Sequence, residues 1–131
     1  MIRIVVDANI ILSALLGGSP RFILFDSRFE FMTTAFTMEE VEKYLPRVSE
    51  KSGVVLEEIR VALSLLPLRI YRKDMYRRVL SRARKMMGHI DPCDVDILAL
   101  YLAESTYLWS EDRGFEKVTP PIRILKTKNF F

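Results

Sequence analysis

The sequence predicts an α/β protein in which helices cover both faces of a parallel sheet. Five short strand-like segments alternate with segments of helical spacing along the 131 residues. The first strand, Ile2–Val6, is apolar except at Arg3, as is typical of an interior parallel strand. The segment Ile97–Ala103 contains only apolar residues and tyrosine, which indicates a buried helix.

The first half of the chain alternates helices and strands between clear breaks. Gly17, Gly18 and Pro20 interrupt the helical pattern that follows the first strand. Thr37 followed three residues later by Glu40 is a capping-box sequence, which predicts the start of another helix. The other expected elements are helices over Asn9–Leu16 and Arg21–Ser27, a strand over Phe29–Thr33, and an end of the capped helix near Tyr44, before Pro46.

The second half continues the same alternation. Asp91 as N-cap and Pro92 at the first helical position predict the start of the buried helix, with Asp94 in its first turn. The remaining expected elements are a helix over Val54–Leu66, a strand over Leu68–Tyr71, a basic amphipathic helix over Asp74–Met87, and strands over Tyr107–Ser110 and Ile122–Leu125.

Composition bounds the class of protein. We expect one domain over residues 1–131, because the length suits a single core and no linker interrupts the pattern. No apolar run is long enough to span a bilayer. We expect no signal peptide, because Met1 leads directly into the strand-like Ile2–Val6 without a basic region and a long apolar region. The single Cys93 excludes an internal disulfide framework and fits a reducing compartment, so we expect a cytoplasmic protein without a membrane partner.

Charge favours a polyanionic partner. The chain carries 20 basic and 17 acidic residues, a net charge of +3. If four of the acids form one metal site, 20 basic residues face 13 acidic ones on the remaining surface. Such a surface would attract a polyanion.

Four acids fall at strand ends and helix starts. Asp7 ends the first strand, and Asp112 follows the strand Tyr107–Ser110. Asp94 opens the helix before that strand, and Glu40 lies in the first turn of a helix that follows another strand. Ligands of open α/β sheets bind beyond the carboxyl ends of the strands, where the strand order reverses. Carboxylates gathered there would repel one another unless a hard cation such as Mg²⁺ held them.

At these residues the chain resembles the PIN-domain ribonucleases. The family's four acids fall on Asp7, Glu40, Asp94 and Asp112, and its supporting polar residues fall on Asn9 and Ser110. The matching segments are Ile4–Ile11, Glu39–Val41, Asp91–Asp94 with Leu98–Leu100, and Ser110–Phe115.

The resemblance implies a three-layer α/β/α fold with a central parallel sheet of about five strands. It further implies a divalent cofactor, Mg²⁺ or Mn²⁺, and cleavage of RNA. Many small members of this family are toxins of toxin–antitoxin pairs and form homodimers, so an antitoxin protein and a second copy of the chain are expected partners. Either Glu39 or Glu40 could be the second acid, and Glu40 is favoured because it precedes the apolar Val41. Asp96 is an additional acid without an assigned role.

Structural roles compete with these functional ones. Asp94 suits the positive end of a helix dipole, Asp91 is better explained as a cap, and Asn9 could cap the first helix. A non-catalytic RNA-binding or scaffold domain is an alternative function. A Mg²⁺-dependent aspartyl-phosphate phosphatase is a weaker one, because that chemistry needs a second acid where Asn9 stands.

The basic helix offers candidate RNA contacts. Arg78, Arg82 and Lys85 share one face of the predicted helix Asp74–Met87. Most faces of this kind are merely solvated, and contact with an RNA backbone is the alternative.

Overall fold

The computed structural model describes residues 1–131, and its central sheet has five strands that are all parallel. The strands lie in the spatial order β3-β2-β1-β4-β5. They are β1 (Ile2–Val6), β2 (Phe29–Thr34), β3 (Leu68–Tyr71), β4 (Tyr107–Trp109) and β5 (Ile124–Leu125).

Six α-helices cover the two faces of the sheet, which confirms the three-layer α/β/α prediction. The first four pack on one face and the last two on the other. No helix is both long enough and apolar enough to cross a membrane. The helices are α1 (Ala8–Leu15), α2 (Pro20–Leu24), α3 (Ala35–Ser52), α4 (Leu56–Leu65), α5 (Leu80–Met87) and α6 (Val95–Glu104).

The core has two halves because successive residues of a strand point to opposite faces. Ile4 and Val6 of β1 pack with α1–α4, whereas Val5 packs with α5 and α6. All three are fully buried. Residues Val95–Tyr101 of α6 are buried as well, which confirms the helix that was expected to be apolar on every side.

The strand order reverses at β1, which places a binding edge beside it. β1 pairs with β2 on one side and with β4 on the other, both in parallel register. The chain therefore leaves β1 and β4 in opposite directions at the same carboxyl edge, which is where α/β sheets bind ligands. Asp7 follows β1 directly, and Ser110, Glu111 and Asp112 follow β4.

The predicted capping box is wrong in its register. Helix α3 begins at Ala35, and the hydroxyl of Thr34 accepts a hydrogen bond of 2.9 Å from the backbone N–H of Thr37. Thr34 is the N-cap, so Glu40 lies beyond the first turn and cannot complete the box. The helix also continues through Pro46 to Ser52.

Helix α3 tolerates Pro46 because the proline lies on its exposed side. Val41, Leu45 and Val48 form the buried stripe of this helix. The carbonyl that loses its partner at a proline in this position can bond to water, while the buried stripe keeps packing on the sheet.

The predicted basic helix Asp74–Met87 is also interrupted. Two single 3₁₀ turns, Lys73–Met75 and Arg77–Val79, precede α5. The break lies at Tyr76, which has a non-helical φ of −129° and is fully buried. Its hydroxyl donates a hydrogen bond to Asp96 on α6, so the tyrosine turns inward and the chain leaves the helical path.

Candidate metal centre

Three aspartates from three different elements converge at the carboxyl edge of the sheet. One carboxylate oxygen from each of Asp7, Asp94 and Asp112 lies within 4.8 Å of the other two. Asp7 and Asp94 are buried, and Asp112 is half-buried. Three carboxylates at this separation repel one another in the absence of a cation.

Asp7 is held by bonds to both of its carboxylate oxygens. Oδ1 accepts a hydrogen bond of 2.7 Å from the backbone N–H of Ala8, so Asp7 caps α1. Oδ2 accepts a hydrogen bond of 2.7 Å from the hydroxyl of Ser110. The backbone N–H of Asp7 donates to the carbonyl of Trp109 at the end of β4. The carboxylate is therefore fixed relative to both central strands.

Asp112 is oriented by the turn that follows β4. Its backbone N–H donates a hydrogen bond of 3.0 Å to the Ser110 hydroxyl. Its Oδ1 accepts one of 2.8 Å from the backbone N–H of Gly114, at the start of the 3₁₀ segment Arg113–Lys117. This turn leaves the second oxygen of Asp112 without a protein donor.

Asp94 reaches the centre from the 3₁₀ turn Pro92–Asp94 that precedes α6. Asp91 is an N-cap, as the sequence predicted, and accepts a hydrogen bond of 2.9 Å from the backbone N–H of Cys93. It caps this 3₁₀ turn, however, and the α-helix itself begins only at Val95. Asp94 is 9% exposed, and its Oδ2 is buried without any hydrogen-bond partner. A buried carboxylate oxygen without a donor is costly unless the group is protonated or bound to a cation.

Burial and mutual repulsion change the acidity of this cluster. Burial, followed by the charges of Asp7 and Asp91, raises the pKa of Asp94 to about 8. Burial also raises the pKa of Asp7, and the hydrogen bonds from Ser110 and Ala8 partly oppose that rise. A cation in the cluster would favour the ionised form of both groups.

Glu40 lies beside Asp7 and Asp94. It lines a cavity of about 90 Å³ that Asp7 and Asp94 also line. Its carboxylate is 3.2 Å from the ammonium of Lys43, one turn along α3, and it is outside the cluster of three. Glu39 points away into a different cavity, lined by Phe36 and Lys73 among others. The geometry thus favours Glu40 over Glu39 as the acid nearest the centre.

Comparison with known proteins identifies the family. The family model of the PIN domain matches residues 5–129. The chain belongs to the PIN-domain family. The matched residues of this PIN domain include the three converging aspartates and Glu40. A comparison with curated proteins finds no matching sequence.

A solved structure shares the fold of this PIN domain. It is the crystal structure of VapBC2 from Rickettsia felis bound to a DNA fragment from their promoter, with a TM-score of 0.73. The sequences are 14% identical, and the match covers 95% of this chain and 98% of that chain. At this level of identity the likeness concerns the fold.

The other residues singled out from the sequence are outside the cluster of three aspartates. Asn9 is exposed on the first turn of α1, and Asp7 caps this helix in its place. Arg78, Arg82 and Lys85 are exposed, and Arg78 donates a hydrogen bond of 3.2 Å to the carbonyl of Ala103 near the end of α6. Because Asp94 precedes the start of α6, Arg78 lies toward the opposite end of that helix.

Sequence reasoning missed several residues of the cavity and the role of Asp96. Asp96 is buried and accepts a hydrogen bond from Tyr76, while Lys73 lies 3.7 Å away. It thus anchors the chain before α5. The unanticipated lining residues of the cavity beside the centre are Ala8, Thr37, Tyr44, Cys93 and Ile97. Thr37 could have been found from its place one turn before Glu40.

Proposed function

We propose that this PIN domain is a divalent-metal-dependent endoribonuclease. The observation that carries the proposal is the convergence of Asp7, Asp94 and Asp112, with an unpartnered buried oxygen on Asp94. Membership of the PIN-domain family supports nuclease chemistry at this place in the fold. A scaffold without catalytic function would have no need of three repelling carboxylates at one edge of its sheet.

The donor set fits a hard cation. All three side chains offer carboxylate oxygens, the ligands that Mg²⁺ and Mn²⁺ prefer. A divalent cation held here would lower the pKa of water and offset negative charge on a phosphodiester. The unpartnered Oδ2 of Asp94 and the free oxygen of Asp112 are the groups that would complete the ligand set.

The remaining residues position these ligands and the attacking water. Ser110 and the backbone of Ala8 fix both oxygens of Asp7, which keeps the centre preorganised before substrate binds. Glu40 faces the cavity beside Asp94 and Asp7, where its carboxylate would orient the attacking water by accepting a hydrogen bond from it. Lys43 lies 3.2 Å from the Glu40 carboxylate and helps to hold it in place.

A cleavage assay tests the proposal. Purified protein is incubated with single-stranded RNA in Mg²⁺, in Mn²⁺ and in EDTA, and an Asp7→Asn protein purified in parallel reports contaminating nucleases. We expect cleavage in both metals, none in EDTA, and a loss of at least ~100-fold for Asp7→Asn, since this change removes a ligand of the metal. Equal cleavage in EDTA, or by the Asp7→Asn protein, would contradict the proposal.

We further propose that this nuclease is the toxin of a toxin–antitoxin pair and that two copies form a dimer. The shared fold with VapBC2, over nearly the full length of both chains, supports this role. Expression of the native protein should arrest growth, and the Asp7→Asn protein should not. Growth that continues with the native protein at matched expression would contradict the role as a toxin. Sedimentation of the purified protein tests whether two copies form a dimer.

A further inference from the structure

A groove lined only by charged side chains lies next to the candidate metal centre. It has a volume of about 380 Å³ and is open to solvent. Its walls come from the segments that follow β4 and β5 at the carboxyl edge of the sheet. The lining residues are Glu111, Arg113, Glu116, Lys126 and Lys128.

Two of the three basic side chains in this groove form no ion pair. Lys126 lies 3.4 Å from Glu116, and an oxygen of Glu111 accepts a hydrogen bond of 2.7 Å from the backbone N–H of Thr127. Arg113 and Lys128 are exposed and have no carboxylate within ion-pair distance. The groove therefore presents unpaired positive charge, which an anionic ligand could neutralise.

On the opposite flank of the centre, beyond β3, basic side chains are paired with acids. Arg72 lies 3.4 Å from Asp74, and Lys73 lies 3.7 Å from the buried Asp96. Both cations on that flank have acidic partners within the chain. Arg113 and Lys128 on the β5 side, by contrast, are exposed and form no ion pair.

The groove adjoins the centre through the backbone of Asp112. Glu111 and Arg113 are its immediate neighbours in the chain, and consecutive Cα atoms are about 3.8 Å apart. The Asp112 side chain faces Asp7 and Asp94, whereas both neighbours line the groove. A strand whose reacting phosphate lies at the aspartates can therefore place an adjoining phosphate in the groove.

The centre needs such a groove to hold a polyanion. Three carboxylates outnumber the two positive charges of a divalent cation, so the occupied centre still repels distant phosphates. Neighbouring cations overcome this repulsion and steer a nucleic acid to the site.

We propose that the groove formed by Arg113, Lys126 and Lys128 binds the phosphates of the RNA strand beside the scissile bond. The identity of the ligand as RNA rests on the proposed nuclease function. The groove recognises the backbone and not the bases, because ammonium and guanidinium groups pair with phosphate oxygens regardless of sequence.

Binding measured without cleavage tests this assignment. A short fluorescein-labelled single-stranded oligouridylate is titrated with protein in EDTA at several salt concentrations, and fluorescence anisotropy gives Kd. A triple variant carries Arg113→Gln, Lys126→Gln and Lys128→Gln. Each phosphate contact on a single strand contributes about 0.7 to the slope of log affinity against log salt. We expect the triple variant to lower that slope by about 2 and to bind ~10–100-fold more weakly at 0.1 M salt.

The matched control removes three charges elsewhere. A second triple variant carries Arg78→Gln, Arg82→Gln and Lys85→Gln, so it has the same net charge as the first. We expect it to keep a nearly native slope. A native slope in the groove variant would overturn the proposal, and so would equal slopes in both variants, which would reflect net charge alone. A flattened slope only in the second variant would overturn it in favour of α5 as the RNA contact.

Melting and cleavage are measured separately from RNA binding, so that unfolding of a variant or a lack of nuclease activity is not mistaken for loss of the groove. The double variant Arg113→Gln, Lys128→Gln changes only exposed, unpaired side chains, so it should melt like the native protein and still show roughly two-thirds of the slope change. A native slope in this folded double variant would also overturn the proposal. A protein that binds RNA through the groove but never cuts it in Mg²⁺ or Mn²⁺ would contradict the nuclease function and leave the groove assignment intact.

Discussion

Ser110 donates a hydrogen bond of 2.7 Å to Asp7 and thereby ties the end of β4 to the acid that follows β1. The same hydroxyl accepts from the backbone N–H of Asp112. Ser110→Ala would leave a buried carboxylate oxygen and an N–H group without their partner. We expect a loss of about 1–3 kcal/mol in the free energy of unfolding and a marked loss of cleavage.

Urea denaturation measures this loss of stability. Ser81→Ala is the control, because Ser81 is exposed on α5 and its replacement should change stability by less than about 0.5 kcal/mol. Ser110→Thr should keep activity, since it retains the hydroxyl. Equal stabilities for Ser110→Ala and Ser81→Ala would show that the hydroxyl does not support the centre.

Glu40 and Glu39 offer a matched pair on one helix turn. Glu40 lines the cavity beside Asp7 and Asp94, whereas Glu39 faces a different cavity. Glu40→Gln should lower the cleavage rate by about 10–100-fold with little change in melting temperature, because a positioning carboxylate is lost. Glu39→Gln should cleave like the native protein. A greater loss for Glu39→Gln would reverse the assignment of the second acid.

The sequence predicted the elements that short-range patterns determine. The apolar run Ile2–Val6 gave β1 with its observed ends, and Asp91-Pro92 marked the start of the turn that leads into α6. Asp7, Asp94 and Asp112 were expected at one edge because parallel strands end together, and they meet there.

Tertiary packing decided what the sequence could not predict. The capping-box pattern at Thr37 competed with Thr34, which sits at a strand end and caps the helix from there. The break at Tyr76 depends on its hydrogen bond to Asp96, a residue twenty positions away. The unpartnered oxygen of Asp94 likewise depends on how α6 meets β1 and β4, which no local pattern reveals.

The raised pKa of Asp94 makes the stability of the metal-free protein depend on pH. Its pKa is about 8 in the folded protein, against an ordinary value of 3.8. Between these values the folded protein binds a proton that the unfolded chain has released. The free energy of unfolding should therefore fall as pH rises from about 4 to about 8.

Melting temperatures in EDTA over this pH range measure the effect. Asp94→Asn cannot titrate, so its melting temperature should fall less steeply with pH than that of the native protein. Asparagine resembles the protonated acid that the native protein holds at low pH. The native protein should therefore lose melting temperature relative to Asp94→Asn as the pH rises toward 8. Parallel curves would show that Asp94 titrates normally.

Leu98 tests the buried character of α6. It is fully buried, whereas Leu65 on α4 is 67% exposed. Leu98→Ala should lower the free energy of unfolding by about 2–5 kcal/mol, because it leaves a cavity between α6 and the sheet. Leu65→Ala should cost less than about 0.5 kcal/mol. Similar losses for the two variants in urea denaturation would contradict the packing of α6.

The shared metal site of Asp7, Asp94 and Asp112 is tested most directly by melting curves of the native and Asp94→Asn proteins, each in EDTA and in millimolar Mg²⁺. Ligand binding at about 100 times Kd stabilises a fold by about 2.7 kcal/mol. Mg²⁺ should therefore raise the melting temperature of the native protein by several degrees and that of Asp94→Asn far less. Asp74→Asn, a change at an exposed acid, should keep the native response. An Asp94→Asn protein that is destabilised equally in EDTA and in Mg²⁺ would show that Asp94 only favours the start of its helix and holds no metal.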